Sequence, residues 1–555
     1  MLRDVVAAFL DTVTEREFDA PLLALLSARG FDDVHFLHGA FEFGKDFIAK
    51  GMKPPDCDVG AGDPSTWTRH QFALQSKSGD LGLSEWRSVR KQLDEARLDD
   101  LAHPAFDTSL PRAGVVVLTG RLTGGAPLEA QSYRSAERSK SRPDFEVWDR
   151  DTLLEWLADA PEVGLAGTSD GPLLAVAGAI DQTTVTASAL EQHSRVWLPP
   201  TPGSLSAATQ QRGALAVLER RSSVEAAVLV NRLRRSGRLD LAALVGLHLL
   251  RAAWCQVLSR DEAPDSERPP QVVAAIRLFV GCATELLSQV QHVADNPVNL
   301  LRATAGSAFP HAAYPVACAR IAEILGLLGL LTVDVTPSDP LRDILPDSST
   351  IEDTVSALVR QPGTAHPIGD SFAVSIIPSA LLVARRNPAL VREFLTRTVV
   401  WVADRYDKEY GAIGLAATGA TPTEDVDYLL GGPYDNGPRR RSSSYLATVL
   451  TDLAAVVPEG AGLYADIINE FLAVDAFPLL LSADERRAQW RPDGAGVRLM
   501  HVDYRDPLPA DGVATSHFDN PAPPVPAWDA VALASTARNR HSIAAVRMLL
   551  KQQAC

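Results

Sequence analysis

Three polar residues on two neighbouring predicted strands have the types and spacing to hydrolyse a phosphodiester bond. In the predicted strand 72–78, side chains alternate between two faces, so that Gln75 and Lys77 share the face opposite the larger apolar residues. Asp46 belongs to the preceding predicted strand, residues 43–48, and neighbouring strands lie about 4.8 Å apart. We therefore expect these three side chains to converge, and we take them as candidate catalytic residues.

The predicted trio is suited to holding a hard divalent cation, Mg²⁺ or Mn²⁺. Hard cations prefer oxygen ligands, which Asp46 would supply as a carboxylate and Gln75 as a neutral amide carbonyl. The backbone carbonyl of Ser76 would add a third oxygen. Such a cation neutralises developing charge and lowers the pKa of an attacking water, while Lys77 would orient that water or stabilise the pentavalent phosphate.

Further acidic residues are candidate metal ligands. Asp19 or Glu17, on the predicted first helix, would bind through water, and Glu42 precedes the Asp46 segment. Each has a structural alternative: Asp19 can serve helix capping and Glu42 can be a solvated surface acid. Asp46 and Lys77 alone would indicate a structural ion pair. The catalytic interpretation is favoured because Gln75 lies on the same strand face as Lys77 and because of the surrounding order of predicted elements.

Residues 1–160 alternate between strand and helix patterns, which is typical of an α/β layer domain. The predicted strands are residues 34–38, 43–48, 72–78, 114–119 and 145–148. Helices are predicted before Gly30, around Trp86 to Ala96, and from an Asp149 cap to about Leu157. These elements would place the candidate residues on one sheet.

The rest of the chain has a different composition. Residues 161–205 are rich in Gly, Ser, Thr, Ala and Pro and predict a linker. Residues 206–480 have helical leucine spacing and predict a large α-helical sensor or assembly domain, for which a solenoid of stacked helix pairs is a suitable arrangement. Residues 481–555 predict a Pro-rich segment followed by one C-terminal helix at about 532–552.

The chain is acidic, with a formal net charge of −16, and residues 1–160 hold 27 acidic against 19 basic residues. Nucleic-acid affinity comes largely from Lys and Arg contacts with phosphates, so binding here needs a local basic patch, a cation or a partner. The run Arg134, Arg138, Lys140 and Arg142 is the candidate nucleic-acid contact. A solvated helix face is the alternative interpretation of that run.

Two further patterns bear on function and location. Gly39 to Lys45 reads G-x-x-x-x-G-K, but the next residue is Asp46 rather than Ser or Thr, and a carboxylate there would repel phosphates, which argues against a P-loop. Five cysteines without a C-x-x-C pair suit a reducing cytoplasm. The longest apolar run, Ile324 to Val333, is about half of a membrane span, so we expect a cytoplasmic protein without a membrane segment.

Several of these segments resemble the PD-(D/E)XK restriction-endonuclease-like superfamily, and within it the Mrr-like branch with a Q-x-K motif. The resemblance rests on Phe18-Asp19, Glu42-x-Gly44-Lys45-Asp46 and Gln75-Ser76-Lys77-Ser78, with the later strand and Asp149 to Leu154 resembling the end of such domains. It covers about 160 residues of the 555. The interval between Asp46 and Gln75 is longer than usual there, because a Pro- and Gly-rich loop intervenes.

The resemblance implies a restriction-endonuclease-like fold and a Mg²⁺-dependent endonuclease that cleaves nucleic acid, DNA being the expected substrate. It also implies a role in bacterial restriction or antiphage defence. The acidity of the chain suggests gated activity, through a regulatory protein partner or a homo-oligomer. The alternative is a catalytically inactive nuclease-fold binding module, joined to a helical scaffold for a protein complex.

Overall fold

The protein is described by a computed structural model. The described residues are 2–37, 44–53, 67–98, 100–101, 103–140, 145–166, 171–199, 208–260, 268–303, 310–336, 339–407, 412–416, 425, 444–470, 479–480, 498–499, 525–538 and 541–551. The chain divides into two compact units: residues 1–173 with 216–231, and residues 174–215 with 232–555. The first unit is therefore longer than the predicted domain 1–160.

A five-stranded mixed sheet forms the centre of the first unit, in the order β1-β2-β3-β4-β5. The strands are β1 (Asp32–Phe36), β2 (Phe47–Lys53), β3 (Thr68–Lys77), β4 (Arg112–Leu118) and β5 (Phe145–Trp148). The first three strands pair antiparallel and the last three parallel. The helices are α1 (Leu2–Thr12), α2 (Glu15–Ala28), α3 (Leu83–Leu98), α4 (Ala126–Ser139) and α5 (Arg150–Asp159), followed by a 3-10 turn at Pro161–Leu165.

Local signals set the ends of these elements. Thr14 and Glu17 form the predicted capping box at the start of α2, which satisfies backbone N–H groups that have no partner within the helix. The Asp149 carboxylate accepts hydrogen bonds from the backbone N–H groups of Asp151 and Thr152 and so begins α5. The continuous apolar run of β4 is buried because helices cover it, as expected for a strand in the parallel part of a sheet.

The register between β3 and β4 determines which face carries the candidate residues. Gln75 lies opposite Val116 and Lys77 lies opposite Leu118. Val116 and Leu118 pack in a core cluster with Trp86 of α3. Because register partners share a face, Gln75 and Lys77 extend from the face of the sheet that α3 covers.

Asp46 precedes β2 rather than lying within it, and the predicted strand 43–48 is shifted to Phe47–Lys53. The backbone N–H of Asp46 still donates to the carbonyl of Leu74 at 2.8 Å, and its carbonyl accepts from Leu37 at 2.8 Å. Asp46 therefore continues the sheet pairing on both sides. The alternation of side chains in the sequence does not predict where β2 begins, because its first residue depends on pairing with β1 and β3.

Outside the sheet domain the described chain is mostly helical, as predicted. The helices are α6 (Gly171–Asp181), α7 (Ala187–Ser194), α8 (Ala208–Arg235), α9 (Leu239–Leu258), α10 (Pro270–Val290), α11 (Pro297–Ala303), α12 (Pro310–Asp334), α13 (Ser348–Arg360), α14 (Pro362–Ala365), α15 (Ala373–Ala384), α16 (Pro388–Ala403), α17 (Tyr445–Val456), α18 (Ala461–Glu470), α19 (Ala527–Ala537) and α20 (Ile543–Lys551). Two short strand pairs, Tyr406–Asp407 with Ala412–Ile413 and Leu479–Leu480 with Arg498–Leu499, accompany them.

Helix α12 packs against helices that are distant in sequence, which differs from a solenoid. These include α9, α15 and α19, whereas a solenoid repeat contacts only adjacent repeats. Gly326 allows the close approach of α15, because a Cβ there would lie 2.9 Å from the backbone carbon of Pro378. The indole N–H of Trp528 donates to the carbonyl of Leu327 at 2.8 Å and ties α19 to α12.

Two predictions outside the sheet domain are corrected. The segment 161–205, predicted as a linker, is helical at α6 and α7, because Leu173, Ile180 and Leu190 recur at buried positions among the small residues. The predicted single helix 532–552 is two helices, since the chain leaves α19 at Arg538 in a left-handed conformation with φ of 58°. Most of the Pro-rich segment 506–526 lies outside the described residues.

Three described helices are long and apolar enough to cross a membrane by length and composition alone: residues 239–258, 270–290 and 314–334. In their most apolar windows, 100%, 56% and 78% of the residues are buried inside the protein. This burial gives the apolar surfaces a packing partner without lipid. The absence of a membrane segment remains a prediction.

Candidate functional site

The structure brings Asp46 and Gln75 together. The side-chain amide N–H of Gln75 donates to Oδ2 of Asp46 at 2.7 Å. The backbone N–H of Ser76 donates to the same oxygen, also at 2.7 Å. Gln75 is 3% exposed, whereas Asp46 is half-buried. The carboxylate is thus fixed at the edge of the core by two charge-assisted hydrogen bonds, which are shorter and stronger than neutral ones.

Lys77 lies two positions further along β3, and its partner is Glu15 of α2. The ammonium Nζ donates to Oε1 of Glu15 at 2.9 Å. The side chains are 22% and 43% exposed, so this ion pair is accessible to solvent. A pair of this exposure contributes little to stability, roughly 0–1 kcal/mol. Its main effect is to orient the ammonium.

The acidic residues predicted on the first helix have different environments. Glu17 completes the cap with Thr14 and forms an ion pair with Arg220. Partial burial acts to raise the pKa of Glu17, but the hydrogen bonds from Thr14 and the charge of Arg220 together lower it below its ordinary value. Asp19 is half-buried on α2, one turn after Glu15, and it is engaged in interactions of its own.

The residues before Asp46 anchor it to α3. Gly44 has a φ of +69°, and a Cβ at that position would lie 2.1 Å from the carbonyl oxygen of Gln92. Lys45 is fully buried, and its ammonium donates to the backbone carbonyl of Glu95 at 3.1 Å. These contacts determine where the chain enters β2, and therefore where the Asp46 carboxylate lies.

The donor set at Asp46 is compatible with a hard cation. Mg²⁺ is commonly held by one or two carboxylates and several waters, and Asp46 supplies one carboxylate. Within the described parts of the chain, no group of three or more His, Cys, Asp and Glu residues is placed to hold a metal. The proposed set of one carboxylate, the Gln75 amide and the Ser76 carbonyl does not need such a group. Glu42 lies outside the described residues.

The predicted basic run has mixed environments on and after α4. Arg134 donates from Nη2 to the carbonyl of Phe145 at 3.0 Å and lies over the Phe145 ring, so that it also serves packing. Lys140 pairs with Glu137 at 3.1 Å and remains 56% exposed. Arg138 is exposed and has interactions of its own, while Arg142 lies outside the described residues.

Glu15 is the residue at this site that the sequence did not single out. It is the first residue of α2, where an acidic side chain is already explained by the helix dipole. Its contact with Lys77 spans 62 positions, so no local signal indicates it. Its position four residues before Asp19 on the same helix was the available clue.

Comparisons with known proteins do not identify this chain: no family model, no curated protein and no solved structure matches it.

Proposed function

We propose that the first unit is a metal-dependent nuclease of the restriction-endonuclease-like type, acting on DNA. The observation that carries the proposal is the cluster at the end of β3, where Gln75 and Ser76 both bond the Asp46 carboxylate and Lys77 extends two positions on. The mixed five-stranded sheet with its helices provides additional support, because the resemblance implies an α/β domain for this part of the chain.

Each residue would have a separate role in hydrolysis. Asp46 would be the charged ligand of Mg²⁺, with the Gln75 amide oxygen and the Ser76 carbonyl beside it. A bound Mg²⁺ supplies a water of lowered pKa and neutralises charge on the phosphate. Lys77, held by Glu15, would stabilise the charge that develops on the phosphate oxygens, and it is reachable because a fifth of its side chain is exposed.

The charge of the chain supports gated activity. Two of the predicted phosphate contacts, Arg134 and Lys140, already have protein partners, and the unit carries an excess of acidic residues. Unassisted DNA binding should therefore be weak and sensitive to salt. We place the protein in the cytoplasm as an effector in antiphage defence, whose activity depends on a protein partner or on self-association.

The test is cleavage of plasmid DNA by the purified full chain with Mg²⁺ or Mn²⁺. We expect cleavage to require the cation and to fall by at least about a hundredfold in Asp46→Ala and in Lys77→Ala, a loss typical of removing one group that stabilises a transition state. Lys50→Ala and Asp32→Ala are matched controls, because Lys50 pairs with Asp33 and Asp32 with Arg69 in the same sheet. Both controls should retain full cleavage.

The same experiment separates the inactive binding module. The pairs of Asp46 with Gln75 and of Lys77 with Glu15 are compatible with that alternative, because each bond joins two protein side chains and involves no cation. DNA binding without cleavage, in either cation and at a range of protein concentrations, would support the module and contradict the enzyme. Cleavage that is equal in wild type, Asp46→Ala and Lys77→Ala would show a contaminating nuclease.

A further inference from the structure

Several arginines converge in the helical unit around two buried carboxylates. Arg238 and Arg320 both pair with Asp240, at 3.1 Å and 3.5 Å. Arg538, which ends α19, places Nη1 at 3.0 Å from both carboxylate oxygens of Glu323. Arg320 and Glu323 are one turn apart on α12, so the two ion-pair groups are neighbours. We call these five residues, together with Arg251 and His248, the arginine cluster.

Arg251 and His248 extend the cluster along α9. Arg251 is buried and donates to the carbonyl of Thr536 at 3.4 Å, two residues before Arg538. His248 lies one turn before Arg251 and is 5% exposed. Its ring nitrogen Nδ1 is buried and has no hydrogen-bond partner within the described residues. A buried polar atom without a partner is uncommon in folded proteins and points to a missing ligand or water.

The electrostatics agree with this proximity. Burial, together with the charges of Arg251 and Arg538, lowers the pKa of His248 to about 3. Burial also lowers the pKa of Arg320; Asp240 opposes this effect, whereas Arg538 and Arg238 add to it. His248 is therefore neutral, and the charges of Arg538 and Arg238 both oppose the charged form of Arg320.

Among the described residues, three arginines of the cluster share two carboxylates. Arg238 and Arg320 pair with Asp240 and Arg538 pairs with Glu323, whereas buried charges are normally balanced. The carboxylate side chains are the more buried, at 8% and 1% exposed for Asp240 and Glu323. The arginine side chains are more accessible, at 17%, 17% and 22% for Arg238, Arg320 and Arg538. Held guanidinium groups with solvent access suit an incoming anion.

We propose that the arginine cluster is a binding site for a phosphate-bearing small molecule, with Arg320 and Arg538 as the main contacts. Guanidinium groups bind phosphate oxygens in a bidentate manner, and the buried carboxylates hold them in position. The hydroxyl of Ser375, which donates to Glu323 at 2.6 Å, fixes that carboxylate from α15. This site belongs to the helical unit and does not depend on the nuclease proposal.

The competing explanation is that the arginine cluster is a purely structural ion-pair network. The ion pairs of Arg268 are an example of such a network in the same unit. Arg268 pairs with Asp334 at 2.6 Å and with Asp529 at 2.7 Å, and the indole N–H of Trp254 satisfies Asp529 as well. That single arginine is surrounded by acids and leaves no excess of positive charge. The arginine cluster has the opposite balance.

The test measures the thermal stability of the full chain with sodium phosphate, sodium pyrophosphate or ATP, against sodium chloride of matched ionic strength. We expect a rise in Tm with at least one phosphate compound, because a ligand that binds only the native state stabilises it. In Arg320→Gln the rise should disappear, with affinity by calorimetry weaker by about tenfold or more. Arg386→Gln removes an exposed arginine paired with Glu352 and should keep the rise.

The variant also tests the charge argument without any ligand. Removing Arg320 relieves repulsion, so Arg320→Gln should unfold at the same Tm as wild type or higher in chloride alone. Arg238→Gln is a second variant in case the first does not fold. A response to ATP alone identifies a nucleotide, and an equal response to all three identifies the phosphate group. No rise in wild type, or an equal rise in both cluster variants, would overturn the proposal.

Discussion

Lowering the pH from 7 to 5 should destabilise the helical unit through His248. Its pKa is about 3 in the folded protein, because burial and the charges of Arg251 and Arg538 oppose the charged ring, and about 6.5 in the unfolded chain. Below pH 6.5 the unfolded chain therefore binds a proton that the native protein does not. The stability that the folded protein has with a neutral His248 is fully present above pH 6.5 and is lost progressively as the pH falls toward 3.

The size of the effect follows from the same two pKa values. Each pH unit within this window removes about 1.4 kcal/mol from the free energy of unfolding. From pH 6.5 to pH 5 the loss is about 2 kcal/mol, and it is the same for any folded pKa below about 4. The phosphate-free protein should show the effect most clearly, since a bound anion would offset part of it.

The assay is urea unfolding at pH 7 and pH 5, followed by far-UV circular dichroism, for wild type and His248→Leu. Leucine cannot titrate, and it also removes the unpartnered Nδ1, so the variant should be no less stable than wild type at pH 5. Wild type should lose about 2 kcal/mol more than the variant on acidification. An equal loss in both proteins would refute the assignment of a buried neutral histidine.

Two further predictions concern the first unit. Gly44→Ala should lower the stability of this unit by about 1–3 kcal/mol or more and should reduce any DNA cleavage. The reason is that the added Cβ would collide with the Gln92 carbonyl and that φ at this position is +69°. Unchanged urea unfolding together with unchanged plasmid cleavage would contradict this prediction. Arg97→Met should cost up to about 3 kcal/mol in urea unfolding, because it removes the buried cation beside Glu137, which is 2% exposed, and leaves only the exposed Lys140 to pair with it. The double variant with Glu137→Gln should recover part of that loss, and no recovery would argue against the buried pair.

Within the first unit, local patterns predicted much of the fold. The strand at residues 145–148 was predicted with its exact bounds, and the caps of α2 and α5 were predicted at Thr14 and Asp149. The strand containing Asp46 was predicted a few residues too early, because its bounds depend on pairing with two other strands. The small residues of segment 161–205 predict a linker, although the segment contains helices α6 and α7. Its buried apolar residues, Leu173, Ile180 and Leu190, are too few among the small ones to produce a clear helical pattern.

The amino-acid sequence by itself determined the alternation that places Gln75 and Lys77 on one face of β3, because side-chain direction in a strand depends only on position. Only the tertiary structure decided which distant residues these and other charged side chains contact. Glu15 reaches Lys77 across 62 positions and Arg538 reaches Glu323 across 215. Such contacts arise when packed elements bring distant segments together, and charge complementarity by itself allows many other pairings. The arginine cluster could not be predicted from the sequence for the same reason, because its members lie on or directly beside three helices and share no sequence motif.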